Sequence, residues 1–123
     1  MNIQVQAEHG IICSLPHHPL GYFGWPSVAR WGNKLVAAVS GLRSQHVCPF
    51  GKTVLFTSDD QGRTWSAPQI VNDNPLDDRD AGVISPDGVG LLVSWFTSDT
   101  RRYVESMRSS YGEEVDSWQP ILS

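Results

Sequence analysis

The stretch Ser58-Asp59-Asp60-Gln61-Gly62-Arg63-Thr64-Trp65, set within "FTSDDQGRTWSAPQIV", places a serine, two acids, a glycine and a tryptophan in eight residues. Acids beside a tryptophan suit a carbohydrate-cleaving site. They equally suit a tight turn, in which an aspartate accepts backbone N–H groups, a glycine takes a left-handed conformation and a tryptophan anchors the hairpin. The flanks decide between the two. "VLFTS" before the stretch and "SAPQIV" after it have the β-branched and aromatic content of strands, so the stretch sits at a strand-to-strand turn.

Outward from this turn the chain keeps the same character. It has 123 residues, with 5 tryptophans, 11 glycines and 8 prolines. No long window carries apolar residues at i, i+3, i+4 and i+7, so helices are not expected. Strand signals fall at 10–15, 26–31, 34–40, 53–58, 69–71, 81–85, 90–96, 102–108 and 119–122. Gly32-Asn33 and Pro86-Asp87-Gly88 supply the positive-φ chemistry of hairpins. "RWGNKLVAAVSG" and "ISPDGVGLLVSWF" read as the same unit twice, with Gly32 and Gly88 separated by 56 positions and Trp65 and Trp118 by 53. A four-stranded unit that recurs at roughly this period is the mark of a β-propeller blade. The apolar runs "LVAAVS" and "LLVSWF" fit strands covered on both faces by neighbouring blades.

The expected fold is therefore all-β. It consists of an N-terminal segment over 1–23, a first blade over 24–72 and a second over 80–123. Propellers close with roughly four to eight blades. Two blades leave an apolar flank on each side, to be completed by a longer parent chain or by head-to-tail association of copies.

Composition excludes several classes. Hydrophobic content of 40% with 18% charged residues is that of a folded globular protein, and a net charge of -4 does not favour nucleic acid or an anionic membrane. No run approaches the roughly 20 apolar residues of a membrane span. "MNIQVQAEHGIICSLP" lacks a basic start and a long apolar stretch, so no secretory signal is expected and a cytoplasmic setting is favoured if Met1 is the native start. Cys13 and Cys48 are read as free thiols. With His17, His18 and His46 they match no common zinc spacing, and neither a metal nor a cofactor is expected.

Ser58-x-Asp60-x-Gly62-x-Thr64-Trp65 resembles the Asp-box, or BNR repeat, of the sialidase superfamily. "SSYGEEVDSWQP" keeps Trp118 and reads as a degenerate second copy. The resemblance implies a structural role for Ser58, Asp60, Gly62, Thr64 and Trp65 at the outer strands, away from a central pocket. It also implies a six-bladed ring, which three copies of a two-bladed chain would supply, so a homotrimer is the favoured assembly.

The same resemblance places candidate chemistry at the central axis. Phe23-Gly24-Trp25-Pro26 stands where that family has Phe-Arg-Ile-Pro, with Gly24 in place of the arginine. Arg43 falls after the next strand, where a second carboxylate-clamping arginine is expected; an arginine fork bonds both carboxylate oxygens. The loop Ser44-Gln45-His46-Val47-Cys48-Pro49 lacks the proton-handling acid, which leaves His46 as the acid or base candidate. Asp80 is the nearest match to a pocket aspartate. Asp78 and Asp80 would share one side of an extended strand as a carboxylate pair.

The candidate catalytic residues are thus His46, Asp78 and Asp80, and the candidate substrate contacts are Arg43, Arg79 and Trp25. Each has a structural alternative. Arg43 can pair with Asp80 or another acid across the blades, "NDNPLDDRD" can be a solvated loop, and Trp25, Tyr22 and Phe23 can be edge packing. In an extended strand Arg101 and Arg102 would face opposite sides, so no anion clamp is expected of them. The functional expectation is a glycoside hydrolase acting on acidic or polar sugars, with sialic-acid cleavage disfavoured by the missing arginine and acid. The alternative is a non-catalytic glycan-binding or self-assembling module. Either way the expected ligand is a carbohydrate.

Overall fold

The computed structural model describes residues 2–99, and within them the chain is all-β with no helix. Six strands run in order: β1 Tyr22–Trp31, β2 Lys34–Arg43, β3 Lys52–Ser58, β4 Gln69–Asn72, β5 Asp77–Ile84 and β6 Leu92–Ser98. They form two antiparallel sheets, one ordered β1-β2-β3-β4 and one made of β5-β6. The expected strands at 102–108 and 119–122 and the degenerate box around Trp118 lie outside the described residues.

The first sheet is a meander whose turns follow from local chemistry. Gly32 has φ 61° and closes the β1–β2 hairpin, and Gly88 has φ 72° between β5 and β6. Without a Cβ, glycine takes these values at no steric cost. The two turn tips also lie together, because a Cβ built on Gly32 would stand 3.3 Å from the Gly88 carbonyl oxygen.

The second sheet packs face to face on the first. Val36, Ala38 and Leu55 of the first sheet share one core cluster with Ala81 and Val83 of β5, flanked by Ala29, Trp31, Leu91 and Val93. The opposite face of the first sheet carries Ala37, Val39, Val54 and Phe56, with Cys13, Phe23, Leu42 and Trp65 packed against them. Period-two alternation sends β2 residues to these two faces in turn. That is why residues 36–41 are all buried.

Two expectations need correction. Residues 10–15 form no strand; they run irregularly, and Cys13 merely packs on the first sheet. A short apolar run becomes a strand only where a sheet edge accepts its hydrogen bonds. The stretch 72–80, for which a solvated loop is one reading, is a loop only over 73–76; Asp77 to Asp80 begin β5, with Asp77 and Asp78 both 0% exposed. Their partners, described below, include Arg43 of β2 and Thr97 of β6 as well as the nearby Asn72, Asn74 and Arg79.

Candidate functional site

The box turn is built from its own side chains. Asp60 Oδ1 accepts the Thr64 backbone N–H at 2.8 Å and the Ser58 hydroxyl at 2.8 Å, while Oδ2 accepts the Thr64 hydroxyl. Ser58 Oγ in turn accepts the Gly62 N–H at 2.8 Å. Gln61 and Gly62 take φ 62° and 87°, and Trp65 Nε1 donates to the Gly62 carbonyl at 3.1 Å. These bonds to its charged form lower the Asp60 pKa to about 2, with the Thr64 hydroxyl as the largest cause. Asp60 is thereby an anion that holds a turn, with no proton to give near neutrality.

The remaining candidates gather at one end of the sheets, where β1, β2 and β5 are all distorted. Register shifts interrupt β1 between Tyr22 and Ser27, and β5 between Arg79 and Gly82. Trp25 at φ 53°, Leu42 at φ 53° and Asp80 at φ 48° are all left-handed. Non-glycine residues in that region cost on the order of 1–3 kcal/mol each, and such strain concentrates at functional sites.

Arg43 is 0% exposed. Its fork meets Asp77 at both oxygens, Nη1 to Oδ1 at 2.6 Å and Nη2 to Oδ2 at 3.0 Å. Nη1 also donates to Ser40 Oγ at 2.7 Å, Nη2 to the His46 carbonyl at 3.0 Å and Nε to the Gln45 carbonyl at 3.3 Å. A guanidinium has five N–H donors, and these contacts occupy them. Arg43 therefore pins the loop 44–50 and the start of β5 to β2. Its acid is Asp77, not Asp80.

Asp77 also accepts from Arg79 Nη1 at 3.2 Å. Burial pushes the Asp77 carboxyl above the ordinary aspartate value, against the opposing pull of Arg43 and then Arg79. Asp78 is equally enclosed. Its carboxylate accepts from Asn72 Nδ2 at 2.6 Å, Asn74 Nδ2 at 2.7 Å and the Thr97 hydroxyl at 2.7 Å. The expected Asp78–Asp80 pair does not form, since Asp78 is buried and Asp80 exposed. The bulge at Asp80 breaks the alternation that would have aligned them.

Trp25 is the centre of what remains. The Arg79 guanidinium carbon lies 4.7 Å from its ring centroid and that of Arg43 5.2 Å. The His46 ring is 4.9 Å away and the Tyr22 ring 6.4 Å. Cation–π contacts of this kind contribute roughly 0.5–2 kcal/mol. Among the described residues only Asp77 forms a salt bridge with Arg43 or Arg79, so two cations share one acid.

Four candidates, Trp25, Arg43, His46 and Arg79, thus converge; Asp78 reaches Arg43 only through its backbone carbonyl, at 3.4 Å, and the Asp80 side chain is exposed. Asp77 is the residue that sequence reasoning passed over. The three consecutive polar residues Asp78-Arg79-Asp80 beside it resemble a solvated run, and nothing local marks Asp77 as the partner of an arginine 34 positions earlier. No family model, curated protein or solved structure matches this chain.

Proposed function

We propose that the two sheets are blades of a sialidase-type β-propeller, and that their distorted end binds a polar or acidic saccharide without cleaving it. The observation that carries this reading is the commitment of the buried charges. Arg43 and the carboxylates of Asp77 and Asp78 are bonded inside the protein, so they hold the scaffold and present nothing to a substrate. Trp25, half-buried beside the His46 ring, has an aromatic ring for a sugar face, and the partly exposed Arg79 guanidinium next to it can meet an acid group. The bulges at the same positions of β1 and β5, and the matched left-handed glycines Gly32 and Gly88, support two copies of one unit. A hydrolytic alternative rests on His46 and Asp80, both exposed at this end.

Titration calorimetry with acidic and neutral oligosaccharides, run beside a panel of fluorogenic glycosides, separates the two. Binding that is lost in Trp25→Gly and weakened at least tenfold in Arg79→Gln, without turnover, supports the binding module. Turnover abolished by His46→Ala or Asp80→Asn would replace it with the hydrolase. Absence of both binding and turnover would sink the ligand reading altogether.

A further inference from the structure

The β1–β2 and β5–β6 hairpins can be aligned in sequence, with an offset of 55 along β1 and β5 (80 − 25) and 56 along β2 and β6 (88 − 32). Trp25 and Asp80 are the left-handed bulge residues of β1 and β5, and Gly32 and Gly88 the left-handed turn glycines. Carried along the strands, these anchors equate Ser27 with Gly82, Ala29 with Ile84, Val36 with Leu92 and Ala38 with Ser94. The strand pairings agree, since Ala29 faces Val36 as Ile84 faces Leu92, and Ser27 faces Ala38 as Gly82 faces Ser94.

The first sheet uses Ala29, Val36 and Ala38 to receive the second sheet. Their equivalents on the second sheet point away from the first. Ile84 is 57% exposed and Leu92 62% exposed, and they border an open cleft of about 400 Å³ with Ser27, Gly82 and Ser94. What the first sheet receives is the rear face of the second, Ala81, Val83, Leu91 and Val93. By the same anchors the rear face of the first sheet offers Pro26, Val28, Leu35 and Ala37, apolar at every matching position. The inner part of that rear face is already covered, with Ala37 1% exposed in a cluster packed by Cys13, Phe23, Leu42 and Trp65. Its outer part is open, with Val28 66% exposed and a cleft of about 170 Å³ beside Pro26, Phe23 and Val39.

We propose that the Ile84–Leu92 face binds the open part of the rear face, around Pro26 and Val28, of a second copy of this chain, repeating between copies the packing that joins the two sheets within one. The contact is head-to-tail, so its rotation closes a ring or continues as a filament. It rests on the blade reading above and is independent of the saccharide reading.

Light scattering on the purified chain is the first measurement. A discrete species at a multiple of the 13.6 kDa chain mass is expected, three copies being the number that completes six blades. Leu92→Glu and Val28→Glu, both at exposed sites, should each fall to the single-chain mass with unchanged far-UV circular dichroism. Mixed together they should re-form a species of two chains, because each retains the face the other lacks. Ile84→Lys repeats the forward-face test should Leu92→Glu fold poorly. A wild-type monomer at all concentrations would show that the chain covers its own face and would overturn the proposal. Dissociation by only one of the two faces, or a mixture that stays monomeric, would overturn it equally. Saccharide titration of the monomeric variants reports the ligand reading separately.

Discussion

Asp60 and Asp77 show how differently one residue type behaves in this protein. Asp60 is half-buried and bonded through both oxygens, and its pKa falls to about 2. A depressed folded-state value stabilises the fold above the unfolded pKa of about 3.9. That contribution disappears as pH drops through the folded value. Carbon-detected NMR titration should find the Asp60 carboxyl still ionised near pH 3. Acid unfolding of Asp60→Asn should be flatter than wild type between about pH 4 and 2. An Asp60 midpoint near 4 would remove the turn argument.

Asp77 has the opposite sign, because burial raises it. Its charged form is retained only with Arg43 and Arg79 in place. Asp77→Asn or Arg43→Met alone should destabilise by about 3–5 kcal/mol, since each leaves a buried partner uncompensated. The double variant Asp77→Leu/Arg43→Met should lose less than the sum of the two singles. Urea unfolding of the four proteins checks this, and strict additivity would mean that the pair is not coupled. Trp25→Gly belongs to the same scale. It removes the ring but relieves a left-handed backbone at φ 53°, so melting should shift little while ligand binding is lost.

At the scale of elements, the hairpins depend on glycine and the strands on a narrow set of neighbours. Gly32→Ala and Gly88→Ala put a Cβ on left-handed residues and should each cost roughly 1 kcal/mol, read from the shift of the urea midpoint. Gly51→Ala should cost more. A Cβ there would collide with Arg43 Nη1 and Asp77 Oδ1, so a substitution on a loop would break a buried ion pair. Equal midpoints for Gly51→Ala and wild type would show that the pair tolerates displacement. Apolar patterning made β2 and β3 legible, and turn chemistry made the hairpins legible. The start of β5 was hidden because its first residues are charged, and charged residues enter a sheet interior only when a remote partner is waiting for them.

For the whole molecule, the proposed assembly makes each sheet half of a repeated contact. If copies complete one another, folding and assembly are linked, and the melting temperature should rise with protein concentration for wild type and not for Leu92→Glu. Differential scanning calorimetry over a hundredfold concentration range tests this directly. A concentration-independent wild-type transition would mean that the faces remain unpaired.

Local composition determined the all-β class, the box turn of Ser58 to Trp65 and the two glycine hairpins. Those features depend on residues a few positions apart, whose backbone preferences and short-range hydrogen bonds act before any tertiary contact exists. Only the tertiary structure decided that Arg43 belongs to Asp77, that Asp78 is enclosed while Asp80 is exposed, and that Trp25 collects Arg79 and His46 around it. The pairing of buried charges, and the bulges that redirect side chains, are set by which strands meet in space. The one-dimensional order of residues leaves that meeting open.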